Sequence, residues 1–231
     1  MAAQSGPSRF NAPAGAEQDQ AHATLARAAT TRRRISRGGY VYRFGEAADP
    51  LYIVESGLIK LAVCSTSGRD LTLGLYGAGE IFGEETVFED SHRVSFAIAV
   101  ETSTLLAIPR PRVHELLIRD ASVSAFLTRL LARRVAESAR QIEKLAWSPV
   151  PARLAEALLR LARRAGVADP AGTRVDLRIT HQEIANLIGS TRETTTATLN
   201  DFRRRGLIEF VRRQIVLLRP DLLSSLAVNN G

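Results

Sequence analysis

The sequence predicts an α+β fold in three parts: an N-terminal antiparallel β-roll, a long helix and a C-terminal winged helix-turn-helix. Three observations predict it. Residues 35–109 contain short β-rich runs separated by glycine and other turn residues. Residues 112–147 contain neither glycine nor proline, which favours one long helix. Residues 180–205 have the pattern of two helices joined by a tight turn.

Residues 1–30 are predicted to form a mobile leader, because they are rich in Ala, Gln, Ser, Pro and Gly. A short helix is expected within the leader at residues 21–29. The leader lacks the continuous apolar run of a secretion signal or membrane span, so we expect a cytoplasmic protein with no membrane partner. The β-roll and long helix are assigned to residues 31–147 and the winged unit to residues 148–231.

The β-roll is predicted from runs rich in branched and aromatic residues with turn signals between them. A roll of this kind is also compatible with a metal-dependent enzyme. The four histidines, however, are scattered over the chain, so no metal site is expected and an enzyme is disfavoured. The five predicted strands are Tyr40–Phe44, Leu51–Val54, Leu58–Val63, Leu71–Tyr76 and Phe96–Val100.

The long helix carries an apolar seam with spacings of four, three, four and three residues, which is a heptad pattern. The pattern predicts a two-stranded coiled coil and therefore a homodimer. Packing of the seam on the helix's own β-domain is the alternative. Ser148 and Pro149 end the long helix and begin another over about Val150 to Ala165. The seam residues are Leu131, Val135, Ser138, Ile142 and Leu145.

A capping box of Thr180 and Glu183 predicts the start of the first helix of the pair, and Gly189 suits the left-handed residue that ends it. The second helix is expected from about Arg192, with Ser190 or Thr191 as its cap. Leu199 and Phe202 are its clearest inward anchors.

The opposite face of the second helix is polar, with Arg192, Glu193, Thr196 and Asn200 at helical spacing. A solvated amphipathic helix would have a similar face. After a tight turn, however, this arrangement is typical of a recognition helix in the DNA major groove.

Further β-rich runs predict a wing around the helix pair. They are a strand at Val175–Ile179 and a hairpin of Leu207–Phe210 with Gln214–Leu218. Arg212 and Arg213 at the hairpin tip are expected to contact DNA phosphates.

The charge distribution is consistent with double-stranded DNA as a partner. The 231 residues carry a net charge of +7, and from Ser148 onward 13 arginines stand against 8 acidic residues. The single cysteine, Cys64, excludes an intramolecular disulfide and an all-cysteine iron–sulfur cluster. A sequence-tolerant architectural DNA protein remains an alternative, distinguished by its ratio of specific to non-specific affinity.

Two motifs, GEIFGEETVFEDSHRVSFAIA at residues 79–99 and ITHQEIANLIGSTRETTTATL at residues 179–199, resemble the Crp/Fnr superfamily of bacterial transcription regulators. The resemblance covers about residues 31–219. It implies a cyclic-nucleotide-binding-like β-roll, a homodimer, a palindromic DNA site, transcription activation with RNA polymerase as partner, and location at the bacterial nucleoid. Polymerase contacts are suggested at Gly166–Arg174 and near Arg69 and Asp70.

In the cyclic-AMP-binding branch of this superfamily, the first motif supplies a glycine amide and an arginine to phosphate and a glutamate to ribose. Gly83, Arg93 and Glu84 match these roles, and Ser138 matches an adenine contact. Val94 and Ala139 depart from the pattern. Two alternatives follow: cyclic AMP is the effector, or no effector binds and a Glu84–Arg93 salt bridge keeps the pocket closed.

In the second motif, the resemblance implies that Arg192 and Glu193 read bases, since arginine can donate twice to guanine and glutamate can accept from cytosine. Ala197 stands where many members have a long basic residue, so one base contact is expected to be missing. The remaining matches imply phosphate contacts by Gln182, Ser190 and Thr194.

Overall fold

The computed structural model describes residues 16–66, 68–87, 92–212 and 214–228. The chain divides into two compact units. The first comprises the chain up to Cys64 together with Leu73–Glu137, and the second comprises Ser65–Thr72 together with the chain from Ser138 onward. No helix within the described ranges is long and apolar enough to cross a membrane.

Two four-stranded antiparallel sheets form the first unit, in the orders β1-β8-β3-β6 and β2-β7-β4-β5. Aromatic side chains fill the core between them, with the Tyr52 and Phe82 rings stacked at 5.1 Å between centroids. The predicted β-roll is therefore confirmed. The strands are β1 (Thr31–Ile35), β2 (Tyr40–Tyr42), β3 (Leu51–Ser56), β4 (Leu58–Cys64), β5 (Asp70–Gly77), β6 (Ile81–Phe82), β7 (Phe96–Ala99) and β8 (Ser103–Ile108).

Three of these strands were not predicted. Strand β1 has three consecutive arginines and so lacks an apolar alternation, but it pairs along its length with β8 and its Arg32 forms an ion pair with Glu55. Strand β6 has only two residues, too few for a pattern. The mixed run of β8 has no clear period because its side chains on both faces are at least partly buried.

Part of the predicted mobile leader is an ordered helix, α1 (Ala16–Arg27). Ala21 and Leu25, one turn apart, are fully buried against the β-roll. The prediction of a mobile leader over residues 1–30 is therefore wrong for α1, and the expected helix at residues 21–29 begins earlier. Residues 1–15 lie outside the described part of the chain.

The predicted single helix over residues 112–147 is two helices, α2 (Arg110–Arg119) and α3 (Ala121–Trp147). Asp120 separates them in an extended conformation and caps α3, since its Oδ1 accepts hydrogen bonds from the Ser122 amide at 2.9 Å and the Ser122 hydroxyl at 2.6 Å. These bonds lower the pKa of Asp120. The break lets Val113 and Val123 both pack into the core beneath α1.

The second unit contains a four-stranded antiparallel sheet in the order β11-β12-β10-β9, surrounded by four helices among the described residues. The predicted strand at Val175–Ile179 is wrong except for Val175, which ends β10, and the hairpin of β9 and β10 was not predicted. The elements are α4 (Val150–Ala165), β9 (Gly166–Asp169), β10 (Gly172–Val175), α5 (His181–Ile188), α6 (Arg192–Arg204), β11 (Ile208–Val211), β12 (Gln214–Leu217) and α7 (Pro220–Val228).

Candidate functional site

The helix pair begins with the predicted capping box. Thr180 Oγ1 accepts a hydrogen bond from the Glu183 amide at 3.2 Å, and Glu183 Oε2 accepts from the Thr180 amide at 2.6 Å. Two backbone amides at the start of α5 are thereby satisfied, which fixes where the helix begins.

The turn between the helices requires glycine at position 189. Gly189 has φ of +60°, and a Cβ built there would lie 2.5 Å from Leu145 Cδ2. Thr191 then caps α6 by accepting a hydrogen bond from the Thr194 amide at 3.2 Å, which decides between the two predicted caps. The turn thus sets the direction in which α6 leaves α5.

Helix α6 separates a buried face from an exposed one. The predicted anchors Leu199 and Phe202 are confirmed, since both are fully buried. Arg192 and Glu193 are exposed at the N-terminal end of α6. Neither side chain is hydrogen-bonded to another residue that the structure describes, so both are available to an external partner.

Thr196 differs from the other predicted base-facing residues. It is half-buried, and its hydroxyl is 2.9 Å from His181 Nδ1, with the His181 ring packed near Phe210. Asn200, one turn further along α6, is exposed. His181 was not among the predicted site residues, and its spacing of 15 residues from Thr196 gives no local signal.

The predicted phosphate contacts lie around the start of the helix pair. Gln182 is exposed and donates a hydrogen bond to Asn186 Oδ1 at 2.9 Å, while Ser190 is half-buried in the turn. Thr194 is exposed and its hydroxyl lies 3.0 Å from that of Thr191. These groups are at the surface, where hydroxyls and amides can donate to phosphate oxygens.

The wing is the hairpin of β11 and β12, paired from Ile208 with Leu217 to Val211 with Gln214. Arg212 at its tip is exposed and has φ of +49°, which is uncommon for a residue with a side chain. Its partner in the prediction, Arg213, lies outside the described residues.

A second candidate site surrounds Arg93 in the β-roll. Its side chain is fully buried, and its Nη1 donates to the Gly83 carbonyl at 3.0 Å and to Glu85 Oε2 at 3.1 Å. Nη2 donates to the Pro50 carbonyl. The guanidinium also lies over the Tyr42 ring, 4.2 Å from its centroid. These contacts hold one positive charge inside the roll.

Gly83 has φ of +80°, and a Cβ at this position would lie 2.7 Å from Arg93 Nη1. Both facts require glycine at this position. A single 3₁₀ turn, Glu84–Val87, follows, and residues 88–91 lie outside the described part of the chain.

The Glu84–Arg93 salt bridge of the second alternative is not present. Glu84 instead faces Arg134 on α3, with 3.3 Å between Glu84 Oε1 and Arg134 Nε. Arg134 also donates to the Ile81 carbonyl at 3.0 Å and lies 4.5 Å from the Tyr76 ring centroid. Burial raises the pKa of Glu84, and the charge of Arg134 opposes that rise. Arg134 had been noted only as a charged residue beside the heptad seam.

The buried polar atoms without a hydrogen-bond partner among the described residues include Glu84 Oε2, Thr86 Oγ1 and Arg93 Nε near this turn, and Arg134 Nε beside Glu84. Buried polar atoms are rarely left unpaired, because each costs free energy. Their concentration next to Gly83 suits a polar ligand with both donor and acceptor atoms. The described residues contain no cluster of three or more His, Cys, Asp or Glu side chains suited to a metal ion.

The heptad seam of α3 is partly uncovered. Val135 is 70% exposed and Ile142 is 67% exposed, which is unusual for branched apolar side chains. Ser138 between them is exposed, whereas Leu131 and Leu145 are half-buried. Leu145 lies next to Gly189, so the predicted dimer residue also packs on its own chain.

The helix pair with its wing and the β-roll with its buried arginine define the class of DNA-binding transcription regulators that carry an N-terminal sensing domain. The chain matches the family described as Crp-like helix-turn-helix domain over residues 152–226, and the cyclic nucleotide-binding domain over residues 32–120.

A "CRP-like cAMP-activated global transcriptional regulator" of Mycobacterium tuberculosis is 32% identical over 188 residues, covering 81% of this chain and 84% of the relative. The crystal structure of a CRP/FNR family transcriptional regulator from Thermus thermophilus aligns with a TM-score of 0.73 at 31% identity, covering 87% of this chain and 100% of that one. The structure of the c-di-GMP responsive global regulator CLP of Xanthomonas campestris aligns with a TM-score of 0.72 at 27% identity, covering 86% and 98%.

The protein therefore belongs to the CRP/FNR family of transcription regulators. These relatives are transcription regulators rather than enzymes.

Proposed function

We propose that the protein is a homodimeric transcription activator that reads a palindromic DNA site through α6 and responds to cyclic AMP. The observation that supports DNA reading most directly is the pair Arg192 and Glu193, which is exposed and has no hydrogen-bond partner in the described part of the chain. Arginine and glutamate at the N-terminal end of a recognition helix can address guanine and cytosine in the major groove.

The remaining polar groups have supporting roles in this proposal. Arg212 at the wing and Gln182, Ser190 and Thr194 near the turn contact phosphates and fix the register of α6. Thr196 and Asn200 lie further along the same helix, where Thr196 is held by His181. In a dimer, two copies of α6 bind half-sites about 10 bp apart, one helical turn of DNA.

Replacing Arg192 with Ala should cost about 1–3 kcal/mol of binding free energy on the preferred site and relax the preference at one guanine. The measurement is a titration of labelled duplexes, first with a sequence obtained by selection from random DNA and then with single-base variants of it. Salt concentration is held constant throughout.

The matched control is Arg212→Ala, which removes an exposed arginine outside α6. It should weaken selected and scrambled duplexes by similar factors, because a phosphate contact carries no base information. An Arg192→Ala protein that also loses both affinities equally would contradict the base-reading role. A wild-type protein with no preference for the selected site would instead indicate a sequence-tolerant architectural protein.

The proposed effector site comprises Gly83, Glu84 and Arg93 in the β-roll, with Ser138 on α3 as an adenine contact. The unpaired atoms of Glu84, Thr86 and Arg93 support a polar ligand here. Arginine can bind phosphate through two parallel hydrogen bonds, and a carboxylate can accept from a ribose hydroxyl. The matched cyclic nucleotide-binding domain and the name of the M. tuberculosis relative favour cyclic AMP.

Cyclic AMP should release or absorb heat on titration into the protein and should increase DNA affinity at millimolar concentration or below. Isothermal titration calorimetry and DNA binding with and without the nucleotide provide the measurement. No heat on titration and no change in DNA affinity would favour the alternative, a regulator of the same family that needs no effector and is controlled by its abundance.

Activation further requires contact with RNA polymerase at the nucleoid DNA. The surfaces proposed for it are the β9–β10 hairpin and the segment around Arg69 and Asp70. Alanine substitutions there should lower transcription from a dependent promoter while leaving DNA affinity within about twofold, since they lie outside α6.

A further inference from the structure

The positive charge of Arg93 is already neutralised inside the chain. The arginine side chain is fully buried, and an unpaired buried charge costs several kcal/mol, so an anion beside it is expected. That anion is Glu85, whose Oε2 lies 3.1 Å from Arg93 Nη1. The neighbouring carboxylate, Glu84, has a different ion-pair partner, Arg134.

The contacts of Arg93 already include one anion. Nη1 donates to Glu85 and to the Gly83 carbonyl, Nη2 donates to the Pro50 carbonyl, and Nε lacks a partner among the described residues, so three of the five N–H groups are used. A phosphate group that binds through Nη1 would have to replace the Glu85 carboxylate, and one that binds through Nε and Nη2 would share the guanidinium with it. If Glu85 remained nearby, two like charges would lie within a few ångströms and repel each other.

Glu85 lies at the edge of the core rather than inside it. Its side chain is 19% exposed, in contrast to the 0% of Arg93, and it belongs to a single 3₁₀ turn rather than to a strand of the roll. A change in its side-chain rotamer would return the carboxylate to water, where it is well solvated.

From this geometry we infer that Glu85 is a specificity-determining residue of the β-roll: its carboxylate neutralises Arg93 through Nη1 and competes with any phosphate-containing ligand for that arginine. The inference rests on the proposed effector site and predicts that the wild type binds nucleotide more weakly than a protein without this carboxylate. It also provides a way for the roll to keep its buried arginine neutral when no ligand is present.

The experiment compares the full-length wild type with Glu85→Gln, which keeps the shape of the side chain and an oxygen acceptor for Arg93. Inorganic phosphate and cyclic AMP are titrated separately into each protein by calorimetry. Both probes should bind Glu85→Gln at least tenfold more tightly, because the competing charge is gone. Circular dichroism establishes that the variant is folded.

Glu55→Gln is the matched control, since Glu55 forms the exposed ion pair with Arg32 on the same β-roll. It removes the same charge without changing Arg93, so its affinity for phosphate should stay within about twofold of wild type. A similar gain in Glu55→Gln would attribute the effect to net charge and overturn the inference.

A Glu85→Gln protein that binds neither probe more tightly than wild type also overturns the inference, whatever the wild-type affinity. The proposed cyclic AMP response fails separately, when the wild type neither binds the nucleotide nor changes its DNA affinity. If the wild type binds no cyclic AMP but Glu85→Gln does, the result would support competition by Glu85 and contradict the effector role.

If Glu85→Gln does not fold, Glu85→Asp is the second variant, because it keeps the charge but shortens the side chain. Its affinity for both probes should rise at least threefold. No gain would count against competition.

Discussion

Replacing Val135 and Ile142 together with Glu should convert the proposed homodimer to a monomer and remove most of its affinity for the proposed palindromic site. The two side chains lie seven residues apart on α3 and are 70% and 67% exposed in the single chain. Burying such a side chain contributes about 1.5–3 kcal/mol, and a dimer would bury four of them. The substitution also places like charges across the seam. We therefore expect the dissociation constant of the dimer to rise by a factor of about 100 or more.

Analytical ultracentrifugation at several protein concentrations measures the change, together with binding to one-half-site and two-half-site DNA. Ala136→Glu is the control, because Ala136 is exposed on α3 but lies outside the predicted seam. It should leave the dimer intact. A wild type that sediments as a monomer at all concentrations, or a double variant that stays dimeric, would contradict the heptad prediction.

Phe202→Ala should destabilise the DNA-binding unit by about 3–5 kcal/mol, the range found for deleting a buried aromatic side chain. Phe202 is fully buried on the inner face of α6, on the same face as Leu199. Its loss leaves a cavity beneath the helix that carries Arg192 and Glu193. DNA binding should fall with stability, because the base-reading side chains depend on a fixed orientation of α6.

The matched control is Phe44→Ala, in which the deleted ring is 73% exposed and the cost should be within about 0.5 kcal/mol. Urea unfolding followed by circular dichroism gives the overall change. Hydrogen exchange of the α5 and α6 amides locates it, since a chain with two units need not unfold in one step. Unchanged protection in Phe202→Ala would show that the ring is not an anchor of α6.

Local chemistry was enough to predict the helix pair. A capping box, a glycine and a threonine cap act over three or four residues, so Thr180, Glu183 and Gly189 could be assigned their roles without knowledge of distant contacts. The break at Asp120 has equally local causes, an aspartate cap and its bonds to Ser122. It was missed because the absence of glycine and proline was taken to mean one continuous helix.

Elements that depend on partners far along the chain were not predictable in the same way. Strand β1 forms because its backbone pairs antiparallel with β8, some 70 residues later. Helix α1 is ordered because Ala21 and Leu25 find a complementary apolar surface on the β-roll. Neither segment has a strong pattern of its own, and tertiary contacts supply the free energy that orders it.

The sequence by itself determined the α+β class, the family resemblance, and the positions of Gly83, Arg93, Arg192 and Glu193, because each follows from local spacing or motif. Only the tertiary structure decided how the two adjacent carboxylates of the β-roll are used. Glu84 pairs with Arg134, 50 residues later on α3, and Glu85 pairs with Arg93, eight residues later. Ion pairs depend on distances of a few ångströms between side chains, and linear spacing does not fix those distances for residues on different elements.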